Sequence, residues 1–450
     1  MDFNSIAASF GGAIWSGLFF IVAIAIIVAV HEYGHYIVGR WSGIHAEVFS
    51  LGFGPVIYSR VDKRGTKWQI AALPIGGYVK FLGDKDAASA APDQAALGGL
   101  TADEKRHTMF GAPLWARAAT VAAGPIFNFI LALVVFMGMI SYTGVATDVP
   151  VVGRVNPTPY VGATIQPGDQ ILALNGTATP DMAKFAEVAS ALPPAASVTY
   201  KVDRNGTAID VQGAHPFLPM VGAVMPKNAG GDAGIQTGDV IVQVAGQDVS
   251  AFSQLPALVE ATQGKPIALK IWRDNGSGGD IIDVTLSPNR RDLPKNDGTF
   301  ETRWMIGLSG GMLFAPQTRQ PGVWETVTIA VDQAWFTAKS SLSGLWHVVT
   351  GQISSCNLSG PVGMAQVMGD AARQGFQEFL GTLGMLSLGI GLLNLFPIPV
   401  LDGGHLMFYA YEAVFRRPPA PAVMNILMLI GLMAVLSFMF FALGNDFTCK

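Results

Sequence analysis

Charge is scarce in this chain. Of 450 residues only 13% are Asp, Glu, Lys or Arg, about half the share found in an ordinary soluble domain. The net charge of −4 carries no basic excess, so no nucleic-acid partner is expected. Cysteine is nearly absent too. Cys356 and Cys449 are the only two, too few for a disulfide framework and without the spacing of a cysteine metal site. The sequence leaves open whether they pair. Residues 1–12 contain no Lys or Arg, so the apolar run behind them lacks the basic start of a secretory signal and reads as a retained helix. What the chain has in quantity is apolar residues, 50% of the total, with a mean hydropathy of +0.39.

Those residues are concentrated in four stretches: Ala13–Val38, Leu114–Tyr142, Phe379–Val400 (continuing toward Ala413) and Pro421–Leu443. Each is near the ~20 apolar residues needed to cross a bilayer. Basic residues set the orientation. Arg40, Arg60, Lys63, Arg64, Lys67, Lys80, Lys85, Lys105 and Arg106 lie between the first two stretches, and Arg416 and Arg417 between the last two. Both loops are therefore expected on the cytoplasmic side, with the termini and the long central region opposite.

The first stretch ends in His31-Glu32-Tyr33-Gly34-His35. On a helix this pattern puts two imidazoles one turn apart on one face, spaced to hold Zn²⁺. The intervening carboxylate is left to act as general base on water. Ionisable residues inside a membrane are costly and usually functional. The alternative is a polar cluster that merely packs helices.

A catalytic zinc commonly takes three protein ligands. The third apolar stretch runs into Asn394-Leu395-Phe396-Pro397-Ile398-Pro399-Val400-Leu401-Asp402-Gly403-Gly404-His405. Two prolines break a helix there and free backbone groups that must be satisfied within protein or a wet cavity. Asp402 follows, an anion that is expensive to bury without a cation. His405 is an alternative ligand on chemistry alone.

The central region, about Val149 to Pro288, reads as β-rich, and it repeats. Ile165-Gln166-Pro167-Gly168-Asp169-Gln170-Ile171 recurs as Ile235-Gln236-Thr237-Gly238-Asp239-Val240-Ile241, with Gly168 and Gly238 standing 70 residues apart. Asp203-Arg204-Asn205-Gly206 is matched at the same spacing by Arg273-Asp274-Asn275-Gly276. A single repeat of domain length implies two copies of one small module. Val151–Val155 and Val221–Val224 are the expected opening strands. The Gly-Asp-x-Ile run resembles a PDZ domain of the protease-associated kind, a fold that binds extended peptide tails by strand addition.

The zinc motif, the proline-broken aspartate motif and the tandem PDZ-like modules together resemble the site-2 protease family of intramembrane zinc metalloproteases. The combination is most similar to the bacterial regulator-of-sigma-E protease type. The resemblance covers essentially the whole chain. It implies His31, His35 and Asp402 as Zn²⁺ ligands, Glu32 as catalytic base and Asn394 as a residue that positions substrate or steadies the oxyanion. Gly124-Pro125-Ile126-Phe127-Asn128 in the second span is similar to a family core motif, and equally well understood as a close helix contact. Around Asp62-Lys63-Arg64-Gly65, the segments Val56–Val61 and Thr66–Ala72 form a hairpin signal, similar to the family's membrane-associated β-loop. Asn357–Val362 is similar to a segment implicated in substrate handling.

The expected architecture is a polytopic α-helical membrane protein with four transmembrane helices, two inserted β-rich PDZ domains and a membrane-associated β-hairpin. Residues 1–142 and 361–450 would form the two halves of a protease core, 149–215 and 216–290 the PDZ domains. Residues 318–360 would form outer-face linker helices, with the amphipathic pattern of Val323–Val349. Asp84–Gly111 reads as a mobile loop. The resemblance further implies a bacterial inner membrane, with the PDZ domains in the periplasm. It implies cleavage of single-pass membrane proteins, such as an anti-sigma factor or a signal-peptide remnant, with the lipid bilayer as surroundings. The rival reading is a catalytically silent PDZ-bearing scaffold.

Overall fold

The computed structural model describes residues 3–84, 98–99, 101–160, 164–225, 228–294 and 300–448. The chain divides into two units, one holding Met1–Met139, Val327–Trp346 and Leu358–Cys449, the other Ile140–Thr326 and His347–Asn357. Among the described residues four helices are long and apolar enough to cross a membrane: Gly12–Trp41, Leu114–Thr143, Phe376–Asn394 and Pro421–Thr448. They fall on the four stretches marked by hydropathy.

In the first unit the helices include α1 (Phe3–Trp41), α2 (Leu114–Thr143), α3 (Pro361–Gln374), α4 (Phe376–Asn394), α5 (Asp402–Phe415) and α6 (Pro421–Thr448), and the unit also takes Val327–Trp346 of the helix Val323–Val349. Ala23 and Ile27 of α1 are buried with Met368 of α3 and Phe379 and Leu383 of α4. The apolar α6 buries only Gly431, Ala442 and Asn445, as suits a helix whose Leu, Met and Phe side chains are solvated by lipid tails. The third span stops at Asn394, and the chain resumes as helix only at Asp402. That break sits where Pro397 and Pro399 remove backbone donors.

Between α1 and α2 lies a hairpin of β1 (Ala46–Val61) and β2 (Lys67–Phe81). It is longer than the turn signal suggested, because both strands bend. The half of β1 after the bend pairs with the start of β2 (Val61 with Lys67, Val56 with Ala71), while the first half pairs on both sides: Phe49 with Trp68 and with Val79. The result is a four-segment sheet with residues 77–81 at one margin. Asp62 Oδ1 closes the turn by accepting from the N–H groups of Arg64 and Thr66 at 2.8 and 3.1 Å. Phe49, Val79 and Phe81 pack with Tyr36 of α1 and Ala116 of α2. Of the expected loop 84–111, residues 85–97 and 100 lie outside the described residues; Thr101 caps the short helix Ala102–Arg106 with a reciprocal Glu104 contact.

The second unit contains two similar modules, compatible with PDZ-like domains. The strands that build them are β3 (Val152–Val155), β4 (Gln170–Leu174), β5 (Thr177–Ala178), β6 (Val198–Arg204), β7 (Thr207–Gly213), β8 (Val221–Val224), β9 (Val240–Val244), β10 (Gln247–Asp248), β11 (Ile267–Arg273), β12 (Asp280–Leu286), β13 (Leu308–Gly310) and β14 (Phe314–Pro316); the unit holds two further short strand pairings, Asn289–Pro294 with Phe300–Met305 and Val145–Ala146 with Thr318–Arg319. One sheet runs β5-β4-β6-β7 and the other β10-β9-β11-β12. In the first, Arg204 donates through Nε and Nη2 to Asp169 at 2.7 Å; in the second, Arg273 does the same to Asp239 at 2.7 and 2.8 Å. These pairs refine the repeat. β4 and β9 stand 70 residues apart, but the arginines 69 apart, so the second copy has lost one residue before its third strand. Burial would raise the Asp169 carboxyl, but the Arg204 guanidinium and the Gln166 N–H outweigh it and hold the group below the usual carboxylate range. β3 and β8, the expected opening strands, pair with segments from far along the chain, β14 and β13 respectively.

Candidate metal centre

The first helical turn of α5 and the far half of α1 bring three acceptors together. His31 and His35, four residues apart on α1, hold their Nε2 atoms 3.1 Å from one another. Asp402 Oδ2 lies 3.1 Å from His31 Nε2 and 3.6 Å from His35 Nε2. One ligand atom from each residue falls within 4.8 Å of the others, the only such trio among the described residues. Asp402 reaches this point because the chain folds tightly around it. A Cβ on Gly403 would strike the carbonyls of Leu395 and Phe396, and one on Gly404 the carbonyl of Ile398.

The surroundings decide which ring nitrogens point inward. The Thr120 carbonyl sits 2.9 Å from His35 Nδ1. A carbonyl only accepts, so Nδ1 carries the proton and His35 Nε2 presents a lone pair. His31 Nδ1 meets the side-chain amide of the fully buried Asn128 at 3.2 Å. In this structure the amide nitrogen faces the ring; a half-turn of the amide brings its oxygen there instead, and His31 then also turns a lone pair inward. Asp402 Oδ2 is buried and has no hydrogen-bond partner. Two imidazole nitrogens and a buried carboxylate oxygen converge, and these residue types are the donor set of a catalytic zinc site.

Close packing of α1 on α2 makes this possible. A Cβ at Gly124 would collide with the His35 ring and lie 2.8 Å from His31 Cε1. Glu32 is half-buried, close to the backbone N–H of Val79. It lines the same cavity of about 190 Å³ as the trio, together with Gly77 and Tyr78 of β2 and with His405 and Tyr409 of α5. Four of the five residues singled out from the sequence therefore meet in one place. Asn394 does not: it ends α4, half-buried, and is not among the residues lining the cavity. Asn128 and Thr120 are the outer partners that sequence reasoning did not assign. The Gly-Pro-Ile-Phe-Asn run was a usable signal for Asn128; Thr120 had none.

The model of Peptidase family M50 matches residues 19–438. The chain belongs to that family. The regulator of sigma-E protease of Escherichia coli is 32% identical over 97% of this chain and 99% of its own length. A provisionally named zinc metalloprotease of Vibrio cholerae is 34% identical, with the same coverage, and another of Rhizobium meliloti is 35% identical over 95% of each chain. Membership makes this chain a protease, and the four apolar helices make it a membrane protein. It also supports zinc as the metal, a choice the donor set fits independently.

Proposed function

We propose that this M50 protease is an intramembrane zinc endopeptidase in which His31, His35 and Asp402 hold Zn²⁺ and Glu32 is the general base. The observation that carries the reading is the convergence of His31, His35 and Asp402 from α1 and α5, with Glu32 in the same cavity. Zinc bound there supplies Lewis-acid charge that makes water a better nucleophile and polarises a peptide carbonyl.

The rest is done by the chain. Glu32, in the same cavity as the three ligands, takes a proton from water as it attacks and returns it to the departing amine. A transmembrane substrate hides its carbonyls in i→i−4 bonds and must unwind before attack. Residues 77–81, at the margin of the β1–β2 sheet and in the cavity wall, offer the unwound segment a strand to pair with. Asn394 lies outside the cavity lining, so the oxyanion role that the resemblance implies would require the end of α4 to move toward the substrate. By charge placement, residues 40–106 face the cytoplasm of a bacterial inner membrane, and the two modules, read as tandem PDZ domains, face the periplasm. The substrate class that fits is a single-pass membrane protein, such as an anti-sigma factor or a signal-peptide remnant.

Metal analysis and cleavage assays on the detergent-purified protein test the reading. The wild type should carry about one zinc per chain, Asp402→Ala little. Glu32→Gln should keep its zinc and lose cleavage of a membrane-anchored substrate. Normal cleavage by Glu32→Gln would remove the base assignment, and zinc retained at wild-type affinity in Asp402→Ala would remove the three-ligand site.

A further inference from the structure

The cytoplasm-facing end of α1 borders a second cavity, of about 540 Å³, that shares no lining residue with the metal centre. Four segments enclose it: the end of α1 with Gly43–Ala46, the β1–β2 turn at Arg64 and Thr66, Leu82 just past β2, and Glu104 with His107. Its lining is basic, with Arg40, Arg64, His45 and His107 against a single carboxylate, Glu104. That carboxylate is already engaged, Oε2 accepting from the Thr101 N–H and hydroxyl at 2.8 Å each. Asp62 lies close enough for its charge to be felt by Arg40, yet the Trp68 indole and the N–H groups of Arg64 and Thr66 take up its oxygens. Among the described residues neither arginine has a carboxylate oxygen within 4 Å.

Arg40 is also held in place. Its Nη1 donates to Tyr36 Oη at 2.6 Å, and its guanidinium carbon lies 5.7 Å from that ring's centroid. His107 Nδ1 donates to the Gly43 carbonyl at 2.6 Å, so Nε2 can donate to an anion only when the ring is an imidazolium, a form that a bound phosphate favours. Pre-positioned guanidinium beside imidazole, in a cavity of small-ligand size, is the chemistry that takes up phosphate. The level in the membrane agrees. Trp41 at the end of α1 and Trp115 at the start of α2 are 75% and 66% exposed, as in the aromatic belts that mark a lipid–water interface.

We propose that this cavity is a phosphate-binding site, filled by the headgroup of an anionic phospholipid or by a free phosphate ester. One bound phosphate would bridge α1, the hairpin turn and residues 104–107. It would thereby pin the hairpin that walls the metal centre onto the helix that carries His31 and His35.

Native mass spectrometry of the full-length, detergent-purified protein tests this with phosphatidylglycerol against phosphatidylcholine as probes. Hydrogen exchange of residues 40–46 and 62–66 during titration with inorganic phosphate forms the second arm. Phosphatidylglycerol should be retained over phosphatidylcholine, and Arg64→Gln should weaken that retention by roughly tenfold, the loss of one charge-assisted contact. Arg60→Gln, which removes a charge from the same hairpin outside the cavity, should leave retention unchanged. Protection by inorganic phosphate without lipid selectivity would support the site with a soluble phosphate ester as its occupant. Equal retention of both lipids with no phosphate protection would overturn the proposal, as would an Arg60→Gln effect as large as that of Arg64→Gln. His107→Gln provides an independent variant should Arg64→Gln lower the melting temperature.

Discussion

Arg117 of α2 and Glu412 of α5 form a two-point ion pair, Nη2 to Oε1 at 2.6 Å and Nη1 to Oε2 at 3.0 Å. The guanidinium carbon also lies 5.3 Å from the centroid of the Tyr409 ring. Arg117 stands one turn before Thr120, which fixes the His35 tautomer, and Glu412 shares its helix with Asp402. The pair thus sets the register between the helix that orients the imidazoles and the helix that supplies the carboxylate.

Glu412→Gln should therefore loosen the metal centre without touching it. Removing one partner of a largely buried pair costs about 3–5 kcal/mol, and here that cost should appear partly as weaker zinc retention. The measurement is zinc dissociation in a chelator series. The exchanged pair Arg117→Glu with Glu412→Arg should recover part of the loss, whereas two unrelated packing defects would add.

Asn128 offers a sharper probe of tautomer control. Asn128→Ala should lower zinc affinity roughly 10–100-fold, the usual effect of deleting a ligand's outer partner. Asn128→Asp should preserve it, since a carboxylate also accepts from His31 Nδ1–H. If both variants bind zinc like the wild type, Asn128 serves only the contact in which the Ser387 hydroxyl donates to its backbone carbonyl at 2.9 Å.

Gly124→Ala should be nearly as damaging as loss of a ligand. The added methyl has no room beside the two rings, so α1 and α2 must part. Expected are zinc loss and a fall in cleavage, with the second unit's hydrogen-exchange pattern unchanged.

The Asp169–Arg204 pair gives a pH dependence with a definite sign. Because the folded-state carboxyl is held below its unfolded value, the unfolded module binds more protons through the acid range. The stabilisation is complete above the ordinary aspartate pKa of about 4 and is lost as pH falls through the depressed folded value. At neutral pH, Asp169→Asn should speed exchange of the β4 and β6 amides by an amount equivalent to about 2–3 kcal/mol. The difference from wild type should shrink toward zero on acidification; a difference that persists below the folded value would contradict the pairing.

How much of this was legible in the sequence depends on how local each signal is. The spans and the His31–His35 spacing are properties of single helices, so hydropathy and a five-residue pattern found them. Asp402 was readable because two prolines and an acid are costly in an apolar run unless a cation offsets the charge. The module repeat was visible as a spacing, but the one-residue difference between its two arginines appears only once Asp169 and Asp239 are seen to receive them. The hairpin turn was marked by Asp62–Gly65, whereas the bends that let Phe49 pair on both sides depend on packing against Tyr36 and Ala116. Thr120, Arg117 and Glu412 carry no local pattern at all, since their partners lie 85 and 295 residues away in sequence.

The return of β13 to β8 and of β14 to β3 has a practical consequence for dissecting the tandem modules. A fragment ended near residue 290, where the repeat itself ends, would leave each module short of a neighbour and bare an unsatisfied backbone edge, an invitation to aggregate. Extending it through 319 restores both pairings. A single short stretch, 308–316, thus latches the two modules in succession, and deleting it should unfasten both at once.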